Sequence, residues 1–298
     1  MEISYESIVS SHPFRFILGP NKRVFTIHAA LAAHHSKVLA VLVNGPMCEA
    51  KEQCAYLEDV NEQTFVRFSQ YIYTGEYDAA EPGILLDESS VETVDAVVNG
   101  NSPSTLNDNN PDEARQSIDE FGTVLLSSKV RRRKKGRVEM LPDFLCEQAP
   151  PQSRKSLLRN AFSRKSYIAP SPLVNPQINI EPYKDFTPVF LSHAELYVFG
   201  DRYNIPNLQS LALHNLCQAL DKFILCQDRI GDIIELMRYT YSNTADRAGL
   251  VDELRDLVVH YAACVVEDLQ TSSEFGALLE EVGALGRDLV RRLVERLD

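Results

Sequence analysis

The sequence lacks the features that mark a secreted or membrane-spanning protein. No run approaches the roughly 18 consecutive apolar residues that a helix needs to cross a bilayer. The stretch Met1–Phe14 is acidic and has no apolar segment of the kind found in secretory signals. The six cysteines are scattered along the chain, which suits a reducing compartment better than a disulfide framework. We therefore expect a soluble intracellular protein of the nucleus, the cytoplasm or both.

The sequence also lacks the motifs of common enzyme and metal sites. It contains no phosphate-binding loop, no paired-glycine dinucleotide fingerprint and no nucleophile elbow. A zinc site needs close pairs of cysteine or histidine, and the pair formed by Cys48 and Cys54 has no partner pair at usable distance. Acidic pairs such as Glu280-Glu281 fall on polar faces of predicted helices, a poor setting for acid–base chemistry. We expect neither an enzyme nor a bound cofactor or metal.

The charge of the chain is unevenly distributed. The formal net charge is −12, yet Lys129–Lys165 holds 12 Lys and Arg against 3 Asp and Glu. The rest of the chain holds 18 Lys and Arg against 39 Asp and Glu. The rest of the chain is therefore acidic enough to repel the phosphates of nucleic acids, and only the basic stretch is able to attract them. We therefore expect protein partners and no membrane, with a nucleic-acid contact left open for the basic stretch alone.

Residues near the beginning of the chain predict a small β-sheet. Phe14–Leu18 and Arg23–His28 have the pattern of two strands, and Gly19-Pro20-Asn21 between them is a turn-forming trio. In the second strand the two faces alternate, because side chains one residue apart point to opposite sides. Gln53–Leu57 is a third, short strand candidate.

Two amphipathic helices are predicted around that third strand. The first covers about Ala29–Val43, with Leu31, His35, Val38 and Leu42 at three- and four-residue steps. The second opens at Asn61, a favoured N-cap residue, and stops at Gly75, where glycine accepts the left-handed conformation that ends a helix. Phe65 and Phe68 fall on the inner face of this second helix.

Helical patterns return after a long interval. Ser192 and Glu195 fit a capping box at the start of a helix, and Pro206 suits the first turn of the next one. Three further helices are predicted beyond Asp221, and the two longer ones carry apolar stripes that need a packing partner. Their predicted ranges are Asp228–Tyr241, Ala245–Leu269 and Glu274–Leu297.

Five short motifs follow one another between Val24 and Tyr77: Phe25-x-x-His28, Ser36-x-x-Leu39, Leu57-x-Asp59-Val60, Thr64-Phe65 and Tyr71-Ile72-Tyr73-Thr74-Gly75. In these motifs the stretch resembles the BTB/POZ fold, and specifically the fungal group of BTB proteins. A second block, Glu195–Leu208, resembles the helical pair that follows in that family. The resemblance implies a small sheet flanked by helices, acting as a protein-interaction module without chemistry of its own.

The two blocks are separated by about 115 residues, against a few tens in ordinary members of the family, so we expect an interrupted domain. The interval lacks sustained periodicity and is broken by repeated prolines, which indicates disorder. The expected fold class is α+β. The expected division is a first BTB/POZ part over residues 10–78, a disordered insertion over 79–190, a second part over 191–221, and a helical C-terminal extension over 222–298.

A basic cluster stands inside the predicted insertion. Six of the eight residues in Val130–Arg137 are cationic, and no aromatic side chain interleaves with them. The cluster is a candidate nuclear import signal, a nucleic-acid contact or a solvated linker, and the missing aromatics argue against a platform for single strands. A nuclear regulatory or scaffold protein is therefore the alternative function. The candidate residues are Arg131, Arg132, Arg133, Lys134, Lys135 and Arg137.

Three serines follow basic residues in the same insertion. Ser156, Ser163 and Ser166 stand in contexts that basophilic kinases read. Each phosphate would cancel most of two positive charges. Such short patterns also arise by chance, in which case these serines are ordinary solvated residues.

The triplet Met47-Cys48-Glu49 stands where BTB adaptors of cullin-type ubiquitin ligases carry a hydrophobic-x-Glu motif. The resemblance implies that Met47 inserts into an apolar groove of the cullin scaffold and that Glu49 orients the loop. The alternative is that Met47 packs on its own domain. His12-Pro13-Phe14 replaces the acidic residue that opens the family's first strand, so a homo-oligomer is left open. The function we expect is a protein–protein interaction module that serves as a substrate adaptor for such a ligase.

Overall fold

The computed structural model describes residues 3–84, 153–167, 184–246 and 251–297. In these residues the chain is mixed α and β, mostly helical, with one three-stranded sheet and one short two-stranded pair. The strands are β1 (Pro13–Leu18), β2 (Arg23–His28), β3 (Cys54–Leu57), β4 (Gly83–Ile84) and β5 (Lys184–Asp185). The helices are α1 (Tyr5–Val9), α2 (Ala29–His35), α3 (Lys37–Asn44), α4 (Cys48–Glu52), α5 (Glu62–Thr74), α6 (Arg154–Ser163), α7 (Thr187–Arg202), α8 (Pro206–Lys222), α9 (Ile230–Asn243), α10 (Glu253–Cys264), α11 (Val266–Leu269), α12 (Ser273–Glu281) and α13 (Gly283–Leu297).

The three-stranded sheet has the order β2-β1-β3, with β1 antiparallel to β2 and parallel to β3. Phe16 stands opposite Phe25 on β2 and opposite Ala55 on β3. Alternate residues of β1 are buried, because successive side chains of a strand point to opposite faces. Gly19 turns the chain between β1 and β2 with a φ of +59°, a conformation that glycine adopts without strain. The predicted hairpin and third strand are confirmed.

The single helix predicted over Ala29–Val43 is wrong, because the chain breaks at Ser36. Ser36 is extended, with φ −142° and ψ 126°, and separates α2 from α3. Its hydroxyl donates to the carbonyl oxygen of Tyr203 at 2.5 Å and accepts from the backbone N–H of Leu39 at 3.0 Å. The break restarts the helical register, so Leu39 is buried while Val38, expected on the inner face, is exposed.

Helix α5 follows its sequence pattern closely. Asn61 caps its first turn, since the side-chain oxygen accepts from the N–H of Gln63 at 2.8 Å. Gly75 ends the helix in the left-handed region with φ +81°. Phe65 and Phe68 are both fully buried, as predicted.

The described residues before position 85 and those after position 152 belong to one compact unit. The ring of Phe68 on α5 lies 4.6 Å from that of Phe199 on α7, centroid to centroid. The hydroxyl of Thr64 donates to Glu195 at 2.5 Å, and the hydroxyl of Tyr77 lies 2.7 Å from Nδ1 of His193. Aromatic packing, one buried hydrogen bond and one part-buried hydrogen bond therefore join the two parts of the chain.

The predicted capping box of Ser192 and Glu195 is wrong. Helix α7 begins at Thr187, five residues earlier, with Pro188 in its first turn. Ser192 therefore lies inside the helix, where its hydroxyl donates to the carbonyl oxygen of Val189 at 2.7 Å. Glu195 instead accepts from Thr64, a residue distant in sequence. A hydrogen bond between residues so distant in sequence leaves no pattern in the residues around Glu195.

The disordered insertion predicted over Ala79–Phe190 needs correction within the described residues. Arg154–Ser163 forms helix α6 because Leu158 and Phe162, four residues apart, are both buried on one face. Gly83–Ile84 pairs with Lys184–Asp185 as an antiparallel ladder, and the first turn of α7 also falls inside the predicted insertion. Residues 85–152 and 168–183 lie outside the described residues, so the prediction of disorder there stays a prediction.

The C-terminal helices pack on one another, and α10 contacts both α9 and α13. The helix predicted over Ala245–Leu269 is divided at Val265, and the one predicted over Glu274–Leu297 is divided at Val282. Asp252 caps α10 by accepting from two backbone N–H groups. None of the helices in the described ranges combines the length and the apolar content needed to span a membrane.

Several buried ionisable groups make the stability of the fold sensitive to acid. Burial, the largest cause in each case, lowers the pKa of His193 to about 3 and that of His260 to about 4. In the unfolded chain a histidine binds its proton near pH 6.5, so acid favours the unfolded state. Asp232 acts in the opposite direction, because burial raises its pKa to about 6 and the folded state then binds the proton first.

The destabilisation by acid at His193 and His260 is expected to exceed the stabilisation at Asp232. The folded state should therefore lose stability as the pH falls below about 6.5. We expect the free energy of unfolding to drop by about 1–3 kcal/mol between about pH 7.5 and pH 5. Chemical denaturation at the two pH values checks this, and the variant His193→Gln should show a clearly smaller drop. A wild-type chain equally stable at both values would contradict the assignment of neutral buried histidines.

Candidate interaction site

The Met47 loop connects helix α3 to helix α4. Helix α3 ends at Asn44, and the N–H of Gly45 donates to the carbonyl oxygen of Val41 at 2.8 Å. Met47 is the N-cap residue of α4 and has an extended backbone, with φ −77° and ψ 169°. The Met47 side chain ends in a thioether and makes no capping hydrogen bond, so the side chain does not stabilise the start of α4.

The close approach at Gly45 fixes the path by which the chain reaches Met47. A Cβ atom at this position would lie 2.2 Å from the carbonyl oxygen of Val41, far inside contact distance. The clash would be with backbone, which cannot swing aside as a long side chain can. Any larger residue at position 45 would therefore displace the loop.

Met47 is 59% exposed, so more than half of its surface faces solvent. Cys48 is exposed as a free thiol, and Glu49 is half-buried. One carboxylate oxygen of Glu49, Oε2, is buried without a hydrogen-bond donor among the described residues. The predicted triplet thus presents its apolar member to solvent and turns its acidic member partly inward.

Two further apolar side chains are exposed on helix α3. Val38 is 45% exposed and Val41 is 57% exposed, and residues three apart share one helix face. Helices α3 and α4 contact each other, so these valines and Met47 belong to neighbouring elements. We call Val38, Val41 and Met47 the α3–α4 apolar edge. The sequence pattern missed the valines because it assumed one continuous helix.

The candidate phosphorylation sites lie in and just after helix α6. The hydroxyl of Ser156, in the first turn, donates to the carbonyl oxygen of Ser153 at 2.6 Å. The hydroxyl of Ser163, the last residue of α6, donates to a carboxylate oxygen of Asp221 at 2.5 Å. Ser166 is exposed beyond the helix. For Ser156 and Ser163 the predicted setting in a disordered segment is wrong, since both belong to a packed helix.

The basic cluster of Arg131, Arg132, Arg133, Lys134, Lys135 and Arg137 lies outside the described residues. Its three interpretations therefore stay predictions. In the described ranges no group of three or more histidine, cysteine or acidic side chains is arranged to hold a metal ion.

We compared the sequence with models of known protein families, and no family model matched. A search among curated proteins returned no match either. Function therefore has to be inferred from the residues of this chain and their geometry.

Proposed function

We propose that this chain is a protein–protein interaction adaptor whose BTB/POZ-type domain docks onto a cullin-type scaffold through the α3–α4 apolar edge. The observation that carries the proposal is the 59% exposure of Met47 at the N-cap of α4. A large unbranched apolar side chain in this position loses contact with water when a partner covers it, and burial of apolar surface is favourable. The resemblance of the triplet to the adaptor motif points to the scaffold as that partner.

The neighbouring valines support an interface larger than one side chain. Val38 and Val41 extend the exposed apolar surface along helix α3. Buried apolar side chains at the centre of an interface carry most of the binding energy, while polar residues around them exclude water. A groove on the scaffold that receives Met47 would therefore be expected to contact at least one of the valines as well.

The loop is supported at both ends of α3, which favours a preformed site. At the start of the helix Ser36 binds the carbonyl oxygen of Tyr203, and at its end Gly45 passes close to Val41. Leu39 and Val43 anchor the inner face of the helix in the core. A binding loop that is already ordered loses less conformational entropy when the partner docks. The half-buried carboxylate of Glu49 is consistent with the orienting role that the resemblance implies.

The contribution of the valines is testable with a matched pair of variants. Val41→Asp introduces a charge on the α3–α4 apolar edge, whereas Val24→Asp introduces the same charge at a valine of β2 that is equally exposed, at 55% against 57%. We expect Val41→Asp to weaken binding to a purified fungal cullin by about tenfold or more, because the charge is desolvated in the interface. The Val24→Asp variant should bind as wild type does.

Calorimetric titration of each purified variant with the cullin gives the two affinities. Thermal melting shows whether both variants remain folded, as is expected for substitutions at exposed positions. Equal affinities of the two variants would remove α3 from the proposed interface. Binding by neither, with both chains folded, would mean that charge anywhere on the surface interferes and that the edge has no special role.

A further inference from the structure

Helix α6 is held against the C-terminal helices by ion pairs and apolar contacts. It is joined to the rest of the chain by long segments on both sides, yet each of three cations along it or just after it has an acidic partner on another element. Lys155 contacts Glu267 at 3.1 Å, Arg159 contacts Asp221 at 3.6 Å, and Lys165 contacts Asp256 at 2.7 Å. These acidic residues belong to α11, α8 and α10.

The floor of the α6 contact is apolar and aromatic. Phe162 is fully buried, and its ring lies 5.4 Å from the ring of His260 and 5.5 Å from that of Tyr261. Nε2 of His260, which is uncharged because burial lowers its pKa, lies 3.1 Å from the carbonyl oxygen of Leu158. We call this surface of α8, α10, α11 and α13 the α6 groove. An apolar floor with an acidic rim fits a basic amphipathic helix.

Ser163 lies where the C-terminal end of α6 meets α8. Its hydroxyl donates to Asp221 at 2.5 Å, and the same aspartate holds Arg159 through its backbone oxygen at 2.9 Å. Ser163 is exposed, and Arg159 precedes it while Arg164 follows it. We propose that Ser163 is a phosphorylation site of a basophilic kinase and that its phosphate releases α6 from the α6 groove.

The phosphate would reverse the interaction that Ser163 now makes. In the kinase, Oγ of Ser163 attacks the terminal phosphorus of a nucleoside triphosphate and gives its proton to the catalytic carboxylate of the kinase, and the nucleoside diphosphate leaves. The product has no hydroxyl proton to give to Asp221 and carries about −1.5 to −2 charges beside that carboxylate. It also lies at the C-terminal end of α6, where the helix dipole disfavours negative charge. Both effects act against docking of the helix.

Ser156 offers a matched control on the same helix. It lies in the first turn of α6, where the helix dipole favours negative charge, and its hydroxyl donates to the backbone oxygen of Ser153 and not to an acidic side chain. A negative charge at Ser156 is therefore expected to leave α6 docked, although it has the same sign and sits on the same ten-residue helix. Position along the helix, and not charge as such, distinguishes the two serines.

Hydrogen exchange in the full-length chain tests the release. In Ser163→Glu the backbone amides of α6 should exchange about tenfold faster or more than in wild type, while those of α7 remain unchanged. Ser156→Glu should not accelerate exchange in α6. Ser163→Ala, which loses only the hydroxyl, should have a smaller effect than Ser163→Glu. The double variant Ser163→Glu with Asp221→Asn should recover much of the protection, because the repelling carboxylate is gone.

A second measurement asks whether the groove becomes available. A labelled peptide of residues 153–167 should bind the Ser163→Glu chain at least about tenfold more tightly than wild type, where α6 competes at high effective concentration. The same peptide with Phe162→Ala, or with phosphate on Ser163, should bind neither chain.

Three results would overturn the proposal. One is equal α6 exchange in wild type, Ser163→Glu and Ser156→Glu. Another is faster exchange throughout the chain in Ser163→Glu, which would mean general destabilisation. The third is a basophilic kinase that modifies Ser156 or Ser166 of the purified chain but leaves Ser163 untouched, as mapped by mass spectrometry. None of these outcomes depends on cullin binding.

Discussion

Replacing Phe68 by alanine is expected to lower the free energy of unfolding by about 3–5 kcal/mol, the usual cost of truncating a buried aromatic side chain. Phe68 is fully buried, and its ring contacts those of Phe65 at 5.6 Å and Phe199 at 4.6 Å. Phe199 lies on α7, far from Phe68 in the sequence. The cavity left by the missing Phe68 ring would therefore weaken the packing between α5 and α7, which joins the two parts of the chain. Against a typical total of about 5–15 kcal/mol, the variant should be poorly soluble.

Chemical denaturation followed by far-ultraviolet circular dichroism gives the measurement. Val66→Ala is the matched control, since Val66 lies on the same helix but is 38% exposed, and it should change the stability by less than about 1 kcal/mol. If Phe68→Ala unfolds at the same denaturant concentration as wild type, helix α5 does not present this face to the core.

Replacing Met47 by aspartate is expected to weaken cullin binding by a factor of about a hundred or more, while leaving the free chain folded. In the proposed complex the carboxylate would be desolvated in an apolar groove without a partner, which costs several kcal/mol. In the free chain the side chain at position 47 is mostly exposed, so the charge stays hydrated. The two expectations separate a binding role from a structural one.

The control for Met47→Asp is Val290→Asp. Val290 lies on α13 and is 62% exposed, close to the 59% of Met47, so the surface charge changes by the same amount at a position outside the proposed interface. Titration with purified cullin should show normal affinity for this control. A Met47→Asp chain that stays folded and binds the scaffold at full strength would exclude the loop from the interface.

The sequence predicted those elements whose signals are local. The turn at Gly19 and the helix from the Asn61 cap to the Gly75 stop are set by residues that are near one another in the chain. The inner face of α5 was predictable for the same reason, because Phe65 and Phe68 are one helical turn apart. Capping side chains and left-handed glycines act within a few residues, so a single sequence is enough to find them.

The features that the sequence did not predict depend on contacts between distant residues. Ser36 breaks the first long helix because its hydroxyl binds Tyr203, which lies 167 residues away in sequence. Glu195 pairs with Thr64 and not with Ser192 for a similar reason. Helix α6 has a weak pattern of its own and acquires its inner face only where α8 and α10 cover Leu158 and Phe162. Tertiary contacts override local propensity in each of these cases.

The candidate interaction site was predictable in part. The triplet of Met47, Cys48 and Glu49 was located by its resemblance to the adaptor motif, and the helix before it and the strand after it both had local signals. Val38 was predicted inside the fold, and its place on the α3–α4 apolar edge follows from the break at Ser36. The exposed fraction of Met47, which distinguishes a surface residue from a core residue, is a property of the folded chain and has no counterpart in the sequence.

The most direct test of the proposed adaptor role is the affinity of the purified full-length chain for a purified fungal cullin. Calorimetric titration should show one chain bound per scaffold with a dissociation constant of about 10 μM or lower, the range of a specific interface. The same titration with Met47→Asp should show no measurable heat of binding. If the folded wild-type chain gives no binding at concentrations of about 50 μM, the proposed adaptor function is contradicted.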